Sequence, residues 1–508
     1  MTIFLLFLLL ALVIIYVRIK FNRGARIISR VPGPPCIPIL GNALCFNCSA
    51  EKAWDNVLKF LDQYYPIFRL QFAHIYGVFV RHPDDLKVIF SCRKNIKKCH
   101  LVYDNFKYEG HDGLIFSDGD KWHQRRKMLN LAFSTNLIRG YTQIAINHAD
   151  HLIENLKSQG DENVQNLLPL FNGLTLRVVC ETILGVNLTL KPEDEETYRH
   201  ALDEISETVF YRAQRPYITD WMTKFLKIGR KMKNAINTTN AIADKIITER
   251  RKYLELTHVS DQDFVDDAND TANLRKDTGN KERSAVLDSL LMAEREGLIN
   301  AEGIRDEVNT IIAAGYETTG TSISFTLLLF AENKEAQDRA RAEVFDIIDQ
   351  NGGLLTYAEI QKMDYLERCV KESLRLFPSA PLIGRSLIQD IQLKNHLIPI
   401  GSEVCINFYS LHRDPNFWPE PSKFDPDRFL PEAVQNRHSH AYLPFSAGLR
   451  DCIGRKFAML EVKAALARIL RNFYIEPVDL ISNIKFEVGV TLRPTKPVHV
   501  KFVRIDKK

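Results

Sequence analysis

A single cysteine in a glycine-containing stretch is the strongest chemical signal in the chain. Residues 444–461 read PFSAGLRDCIGRKFAMLE, and a helix is expected to begin close to Cys452. A helix start and the neighbouring Arg450 both favour the thiolate form of a cysteine. A thiolate is a strongly electron-donating ligand for heme iron. The alternative is a buried structural cysteine, the more usual fate of a lone thiol, and spacing alone leaves both open.

Three further residues of this stretch fit a cysteine that lies under a flat group. Gly448 and Gly454 have no Cβ atom, so the backbone can approach a planar ligand closely at these positions. Phe445 can cover the sulfur and exclude water from it. The stretch therefore predicts a loop shaped around a cofactor and followed by a helix.

A second signal lies inside a long apolar helix, where residues 313–320 read AAGYETTG. Gly315 costs about 1 kcal/mol relative to Ala in a helix interior. Glu317 and Thr318 add a carboxylate and a hydroxyl, which are groups that transfer protons. Ordinary helix packing is the alternative, and without other evidence it is the better interpretation.

A third signal is an ion pair on one helix face. Glu372 and Arg375 are three residues apart, so their side chains are neighbours. An exposed pair would contribute well under about 1 kcal/mol. With Arg428 added, the three side chains can form a buried network that supports the cysteine loop, and loss of one member would leave a charge unpaired. We expect a structural rather than a catalytic role.

These motifs together resemble those of the cytochrome P-450 enzymes, the heme-thiolate monooxygenases. The run from Phe445 to Ala458 matches the fixed positions of their heme-binding signature, and Glu372–Arg375 resembles their ExxR motif. Residues 424–429, FDPDRF, are similar to the loop whose arginine, here Arg428, completes the ExxR network. By the same resemblance, Trp122 and Arg126 reach a heme propionate, and Arg385 is a further propionate ligand, with a solvated strand-end arginine as the alternative.

The resemblance implies the rest of the fold and the chemistry. It implies a mainly α fold with a small β part, in which heme b lies between the long central helix and the helix after Cys452. Dioxygen would bind beside the iron at Gly315, where the helix is expected to be locally opened. Thr318 would donate a hydrogen bond there, and Glu317 would relay protons from solvent.

Within this family the chain is similar to family-four enzymes, particularly insect members, but it departs from them at one position. Many of that group carry a glutamate that forms an ester with a heme methyl, and this chain has Ala314 there. The resemblance therefore predicts heme that is not covalently linked. Tyr316 replaces a usual His and is expected to narrow the pocket. Leu449 and Asp451 replace a common Pro and Asn near the cysteine.

The predicted substrate pocket is apolar, as small-molecule sites usually are. Core packing is the alternative for each aromatic member. The set is Tyr103, Phe106, Leu114, Ile115 and Phe116 before Trp122, Ile311 and Ala314 on the central helix, and Leu382 and Ile383 after the ExxR helix. A fatty acid, hydrocarbon, terpenoid, hormone or foreign compound would suit such a pocket.

The elements that position these residues are mostly helices in one body of 508 residues. A strand is expected at Ile75–Val80. Other expected elements are helices over most of 50–250, from 284 to about 350, over 364–377 and from about 452, short strands at 380–410, an ordered loop at 412–450 and a polar mobile loop at 255–284.

The N-terminus has a different composition from the body. Residues 3–17 are unbroken apolar, and basic residues follow them. A cleaved signal peptide usually has its basic residues first, so we favour a retained single-pass anchor over 1–20. The positive-inside rule then places the catalytic domain on the cytosolic face of the endoplasmic reticulum. Residues 21–42 are a basic and proline-rich hinge, and 43–508 form a single catalytic domain.

The expected partners follow from charge and from what the chain lacks. A net charge of +4 does not suggest nucleic acid. The sequence shows no flavin or nicotinamide domain, so electrons would come from NADPH through a separate reductase, with cytochrome b5 as a further donor. Arg125, Lys127, Arg455 and Lys456 are candidates for that contact. The alternatives are a heme-thiolate isomerase or dehydratase that needs no reductase, and a non-catalytic binder of hydrophobic ligands.

Overall fold

The computed structural model describes residues 2–94, 97–107, 112–160, 163–187, 192–257 and 285–505. The predicted mobile loop at 255–284 lies outside the described residues except for its first three, which end a helix.

The described chain is mainly helical with a small β part, as the sequence predicts. The helices are α1 (Thr2–Phe21), α2 (Arg23–Ile28), α3 (Ala50–Gln63), α4 (Pro83–Ser91), α5 (His100–Lys107), α6 (Gly119–Asn130), α7 (Thr135–Ser158), α8 (Leu167–Thr182), α9 (Pro192–Ala213), α10 (Asp220–Phe225), α11 (Lys227–Thr257), α12 (Val286–Arg295), α13 (Ala301–Glu332), α14 (Lys334–Gln350), α15 (Tyr357–Lys362), α16 (Asp364–Leu376), α17 (Phe408–Leu411), α18 (Pro431–Gln435) and α19 (Arg455–Asn472). The strands are β1 (Ile67–Phe72), β2 (Ile75–Val80), β3 (Asn163–Asn166), β4 (Leu382–Ser386), β5 (Ile391–Gln392), β6 (Leu397–Ile398), β7 (Glu403–Asn407), β8 (Phe473–Pro477), β9 (Phe486–Val488), β10 (Leu492–Pro494) and β11 (His499–Arg504).

The β part consists of small separate sheets. The largest has the order β1-β2-β7-β4, in which β2 pairs parallel with β7 and the other neighbours are antiparallel. A second sheet has the order β3-β11-β8, and β9–β10 and β5–β6 form antiparallel pairs. The strand predicted at Ile75–Val80 is confirmed as β2.

The central helix α13 is the axis of the hydrophobic core. The Asn300 side chain caps it by accepting a hydrogen bond from Gly303 N–H at 2.9 Å. Two glycines allow α8 to pack closely against it. A Cβ atom on Gly315 would lie 2.6 Å from Val179 Cγ2, and one on Gly320 would lie 2.2 Å from Asn172 Oδ1. Glycine is therefore needed at both positions for this packing.

The expected local opening of α13 is not seen, since the helix continues unbroken through residues 313–320. The Thr318 hydroxyl donates to the Ala314 carbonyl at 2.6 Å, and the Thr319 hydroxyl donates to the Gly315 carbonyl at 2.5 Å. The threonines thus bond back to the preceding turn, and the helix stays intact around them.

The loop that carries Cys452 is fixed by backbone contacts. Gly448 has a φ of +73°, and a Cβ there would lie 2.6 Å from the Phe90 carbonyl oxygen, so only glycine fits. The Cys452 amide donates to the Phe445 carbonyl at 2.9 Å. The last long helix begins at Arg455, three residues later than expected.

The N-terminal segment packs partly onto the body. Ile28 and Val31 are buried, and the Arg69 amide donates to the Pro32 carbonyl at 2.8 Å, so the segment predicted as a hinge lies against β1. The predicted anchor coincides with α1. Within the part of the chain that the structure describes, no helix combines the length and apolar character needed to cross a membrane.

Candidate active site

An internal cavity of about 440 Å³ lies beside α13. Its walls come from α5, the loop before α6, α13, β4 and the loop before α19, and its surface is mostly apolar. Every predicted pocket residue borders this cavity: Tyr103, Phe106, Leu114, Ile115, Phe116, Ile311, Ala314, Leu382 and Ile383. Tyr316, which was expected to narrow the pocket, is buried and also lines it. The structure thus brings together side chains that lie far apart in the sequence.

Cys452 borders one side of this cavity. The Cys452 side chain lies inside the protein, but part of its surface faces the cavity and is accessible from there. Burial raises the pKa of the Cys452 thiol, while a hydrogen bond from Gly454 N–H lowers it. Of the two thiolate-favouring effects that the sequence predicts, the backbone donor at the helix start is present, whereas the nearby guanidinium groups that lower this pKa are Arg126 and Arg455 rather than Arg450; burial outweighs them all. A bound cation would reverse that balance.

Phe445 and Gly454 border the cavity on either side of Cys452. The Arg455 guanidinium lies over the Phe445 ring, 5.3 Å from its centroid. A Cβ on Gly454 would meet only Phe133, at 3.8 Å. Of the two glycines near Cys452, Gly448 is thus required by the loop itself, whereas Gly454 leaves open space.

A cluster of cations borders the same cavity as Cys452. The Arg450 guanidinium lies 4.3 Å from the centroid of the Trp122 ring and donates to Asp118 Oδ1 at 2.7 Å. Burial lowers the pKa of Arg450 to about 10 and also lowers the pKa of Arg385. Burial and these two guanidinium groups lower the pKa of Lys98 well below its usual range. The cluster therefore holds more positive charge than Asp118 can balance.

Arg126 lies at the cavity but bonds to the cysteine loop, because it donates to the Asp451 carbonyl and to Asp451 Oδ1, both at 2.8 Å. Arg385 is buried within β4 behind the lining residues. Lys98 was missed by sequence reasoning, since it lies in the charged run RKNIKK, which looks like a solvated surface. Its pairing with Arg385 as an isolated β-bridge places it at the cavity.

These features test whether the cavity fits heme. Three cysteines border the cavity, and of these Cys452 is exposed, Cys405 is half-buried and Cys99 is buried. Cys452 would therefore supply the sulfur ligand of a heme iron. Arg450 Nε is buried and has no hydrogen-bond partner among the described residues. Two propionate carboxylates would supply the missing acceptors and the missing negative charge of the cluster. The residues present therefore fit heme: Cys452 would hold the iron, Arg450, Arg126, Trp122 and Lys98 at the cavity would hold the propionates, and Arg385 behind the wall would add positive charge.

Thr318 and Glu317 both border the cavity, but their side chains have different partners. The Glu317 carboxylate accepts hydrogen bonds from the Thr491 hydroxyl and from Arg493 Nε, the latter at 2.6 Å. Arg493 Nη1 also lies 2.7 Å from Asp203 Oδ1 on α9. Although burial opposes it, the two carboxylates raise the pKa of Arg493.

The exposed fraction rises along this row of charges. It is 9% for the Glu317 side chain, 18% for Arg493 and 33% for Asp203. The row therefore connects the cavity to the protein surface. Sequence reasoning missed Arg493 and Asp203, because neither stands in a motif and both are far from Glu317 in the chain.

The predicted ion-pair network is buried. Arg375 Nε and Nη2 bind the two Glu372 oxygens at 2.7 and 2.8 Å, and Arg428 Nε lies 3.3 Å from Glu372 Oε1. Arg375 also donates to the carbonyls of His412 and Pro421 at 2.8 and 2.7 Å. The network thus ties α16 to the segments that precede the cysteine loop. Its residues do not line the cavity, which suits a structural role.

Of the four cations predicted to contact a reductase, three are exposed and one is buried. Lys127, Arg455 and Lys456 are exposed. Arg125 is buried, and its Nε lies 3.7 Å from Glu307 Oε1 on α13. Arg125 is therefore removed from the surface candidates, because a buried acid holds it inside the protein.

Known proteins are similar to this chain along nearly its whole length. The family profile described as Cytochrome P450 matches residues 31–502. Cytochrome P450 4c3 of Drosophila melanogaster is 32% identical over 511 residues, covering 99% of this chain and 95% of that protein. Probable cytochrome P450 4p3 of Drosophila melanogaster is 36% identical over 407 residues, covering 79% and 77%. Cytochrome P450 4V2 of Homo sapiens is 31% identical over 472 residues, covering 92% and 88%.

The fold agrees with these relatives. The crystal structure of the cytochrome P450DA heme domain superposes with a TM-score of 0.77 at 24% identity, covering 94% of this chain and 98% of that one. At this identity the match shows the fold alone. With the family profile and the relatives, it establishes that the chain belongs to the cytochrome P450 family of monooxygenases.

Proposed function

We propose that this protein is a heme-thiolate monooxygenase that inserts one oxygen atom into a small hydrophobic substrate. A fatty acid, hydrocarbon, terpenoid, hormone or foreign compound would suit the site. The observation that carries the proposal is the apolar cavity with the Cys452 sulfur at its wall. An apolar cavity binds a ligand chiefly by removing its apolar surface from water, so the substrate would be largely non-polar.

The heme would be heme b, held by Cys452 and without a covalent link at Ala314. When bound, it supplies the activation of dioxygen and the oxidation of substrate carbon. The protein's own residues position the substrate, exclude water and supply protons. The methyl group of Ala314 has no carboxylate that could form an ester.

Proton supply would run along the row of charges at α13. The Thr318 hydroxyl, now donating to the Ala314 carbonyl, can rotate to donate into the cavity. Glu317 would receive protons from water that enters beside Asp203 near the surface, while Arg493 stays charged and holds the carboxylate in place. Rotation of the Glu317 carboxylate from Arg493 toward the cavity would pass a proton to Thr318 through water.

Electrons would come from NADPH through a separate reductase, with cytochrome b5 as a further donor. Lys127, Arg455 and Lys456 are exposed on elements that flank Cys452. An acidic protein surface would be attracted to these cations, and the contact would weaken as salt is raised. Charge reversal in Lys456→Glu should therefore slow reduction at low salt more than at high salt.

The protein would also associate with the bilayer of the endoplasmic reticulum. Helix α1 carries exposed apolar side chains, among them Phe4 and Phe7. Trp221 and Phe225 on α10 are 70% and 72% exposed, and such a pair suits the lipid–water interface. Sedimentation with liposomes tests this, since removal of α1 should weaken binding and Trp221→Ala in that shorter chain should weaken it further.

The activity test uses purified full-length protein, a P450 reductase and NADPH with a mixed library of fatty acids and terpenoids. Mass spectrometry should find products that gain one oxygen atom only when reductase and NADPH are both present. Cys452→Ser should abolish them and the carbon-monoxide band of the reduced thiolate complex. Cys48→Ser, at a half-buried cysteine outside the cavity, is the matched control. Product without reductase would overturn the proposal in favour of an isomerase or dehydratase.

A further inference from the structure

One wall of the cavity is a short stretch of loop between α5 and α6. Leu114, Ile115 and Phe116 all border the cavity. They belong to no regular helix or strand, so no ladder of backbone hydrogen bonds fixes them. The stretch forms a turn in which the Phe116 and Ser117 amides both donate to the Gly113 carbonyl at 2.9 Å, and contacts with neighbouring elements set where this turn lies.

A buried carboxylate on α13 holds this wall. Glu307 Oε2 accepts a hydrogen bond from the Leu114 backbone N–H at 3.0 Å, and Glu307 is fully buried. Its other oxygen, Oε1, lies 3.7 Å from Arg125 Nε. Neither Glu307 Oε1 nor Arg125 Nη1 has a hydrogen-bond partner among the described residues. Among the described residues, the Leu114 amide is thus the hydrogen-bond donor to this carboxylate.

The backbone next to Leu114 lies directly on α13. A Cβ on Gly113 would be 2.2 Å from Thr310 Oγ1 and 2.6 Å from the Asp306 carbonyl oxygen. No side chain fits there unless the loop moves away from the helix. The close approach brings the Leu114 amide within reach of Glu307.

The other end of the wall is held from the cysteine loop. Arg450 Nη2 donates to the Ser117 carbonyl at 2.7 Å, and Nη1 donates to the Leu114 carbonyl at 3.4 Å. The wall therefore lies between one carboxylate on α13 and one guanidinium beside Cys452. A change at Glu307 would shift the side chains that face a substrate.

We propose that Glu307 is a positioning residue that fixes the wall at Leu114 and thereby determines substrate affinity and the carbon that is oxidised. This inference rests on the proposed function, since it assumes that substrate binds in this cavity. Glu307 touches neither substrate nor cofactor in this role. It acts through the backbone of Leu114 and the side chains of Ile115 and Phe116.

The hydrogen bond between Glu307 and the Leu114 amide depends on pH. Burial raises the pKa of Glu307 to about 7, against the opposing effects of Leu114 N–H and Arg125, and burial also raises the pKa of Asp306 to about 7. The other charged groups that face this acidic pair are Lys121 on α6, Asp112 in the loop and Glu302 on α13.

The sign follows from which form accepts the stronger hydrogen bond. Ionised Glu307 binds the Leu114 amide more strongly than neutral Glu307 does. The wall is therefore held more firmly as pH rises through about 7. The free energy of unfolding changes in the opposite direction. Because the pKa of Glu307 is higher in the folded than in the unfolded protein, its contribution to stability is lost as pH rises from the unfolded pKa to the folded value of about 7.

The first test compares substrate binding in the heme-loaded wild type and Glu307→Gln between pH 6 and pH 8. The probes are farnesol, which carries no ionisable group, and lauric acid. The wild type should bind farnesol roughly tenfold more tightly at pH 8 than at pH 6, the effect of one hydrogen bond to a charged group. Glu307→Gln should show the weaker affinity throughout and a broader set of oxidation positions.

Two variants serve as controls for charge on the same helix. Glu302→Gln, at an exposed position, should keep the wild-type pH profile. Asp306→Asn should keep an inflection, because Glu307 still titrates. If Glu307→Gln retained the wild-type pH profile and product distribution, the proposal would be wrong. If it failed to retain heme, Glu307 would be a folding residue and the proposal would also fail.

A second measurement does not depend on the substrate class. Hydrogen–deuterium exchange at the Leu114 amide should be faster in Glu307→Gln than in the wild type above pH 7, and equal to it near pH 6. Protection that is unchanged by the variant would overturn the inference. If protection changed as expected but neither probe bound the wild type, the proposed substrate class would fail while the role of Glu307 in holding the wall would stand.

Discussion

The packing of Gly315 against Val179 gives the sharpest test of how this active-site helix is built. In a helix interior Ala is favoured over Gly by about 1 kcal/mol. The Ala methyl of Gly315→Ala would, however, lie 2.6 Å from Val179 Cγ2 and 3.3 Å from Cγ1. Carbon atoms in good contact are about 3.5–4.0 Å apart, so Val179 or α8 must move by about 1 Å.

The expected magnitude follows from these opposing effects. Overpacking of this size costs about 1–3 kcal/mol, and the helix propensity returns about 1 kcal/mol. Gly315→Ala should therefore destabilise the protein by about 1 kcal/mol. Val179→Ala removes two buried methyl groups and should cost about 2 kcal/mol.

The double variant tests the contact directly, because Gly315→Ala should change from destabilising to stabilising once Val179 is replaced by Ala. With Val179 shortened, the methyl group added at residue 315 fills vacated space and keeps its helix propensity. Gly315→Ala should then stabilise the Val179→Ala protein by about 1 kcal/mol. This corresponds to a coupling of about 2 kcal/mol, within the range for residues in contact.

The assay is the rate at which the thiolate band of the carbon-monoxide complex is lost at a fixed high temperature. A change of about 1 kcal/mol alters such a rate by up to roughly fivefold when the contact is absent from the transition state for unfolding. Gly173→Ala in α8 is the matched control. A Cβ there would meet no atom closer than 3.4 Å, so this variant should stabilise. Additive effects of Gly315→Ala and Val179→Ala would refute the reasoning.

Three further outcomes are expected. Glu372→Ala should cost about 3–5 kcal/mol by leaving Arg375 buried without its carboxylate, and the yield of heme-loaded protein would measure this, with Glu372→Gln less severe. Glu317→Gln should lower the amount of product formed per NADPH consumed by up to about 100-fold, and Arg493→Met should lower it by less. If both variants formed as much product per NADPH as the wild type, the proton path would be wrong. Denaturing extraction should release all heme from the wild type, whereas Ala314→Glu, with a carboxylate at that position, should retain part of it.

Much of the fold follows from the sequence because its motifs are local. The strand at Ile75–Val80 was predicted with its observed bounds, and the helix predicted over 364–377 is present as Asp364–Leu376. The single helical segment expected from 284 to 350 is three helices, because Gly297 and Asn333 interrupt it. Periodicity continues across such short breaks, so it does not locate them.

The parts of the site that sequence reasoning missed depend on tertiary contacts. Arg493 meets both Glu317 and Asp203 only because β10, α9 and α13 come together in the fold. Arg125 looked like a surface cation, and Lys98 looked like one member of a surface run. The folded structure buries Arg125 and brings Lys98 to the cavity. The neighbouring residues in the sequence do not indicate which acid or which cavity a long side chain will reach.

The distribution of charge around the cavity indicates which partner is missing from the protein alone. Glu317 is paired with Arg493, and Glu307 accepts a hydrogen bond from the Leu114 amide, so these two acids of α13 have partners in the chain. The cations near the cysteine loop are less completely paired, since Arg450 donates to Asp118 and to two backbone carbonyls but its Nε has no hydrogen-bond partner among the described residues. An excess of buried positive charge is costly unless anions approach it. The cluster therefore suits an anionic group at the cavity beside Arg450 and Lys98, and the two propionates of a heme would provide such a group.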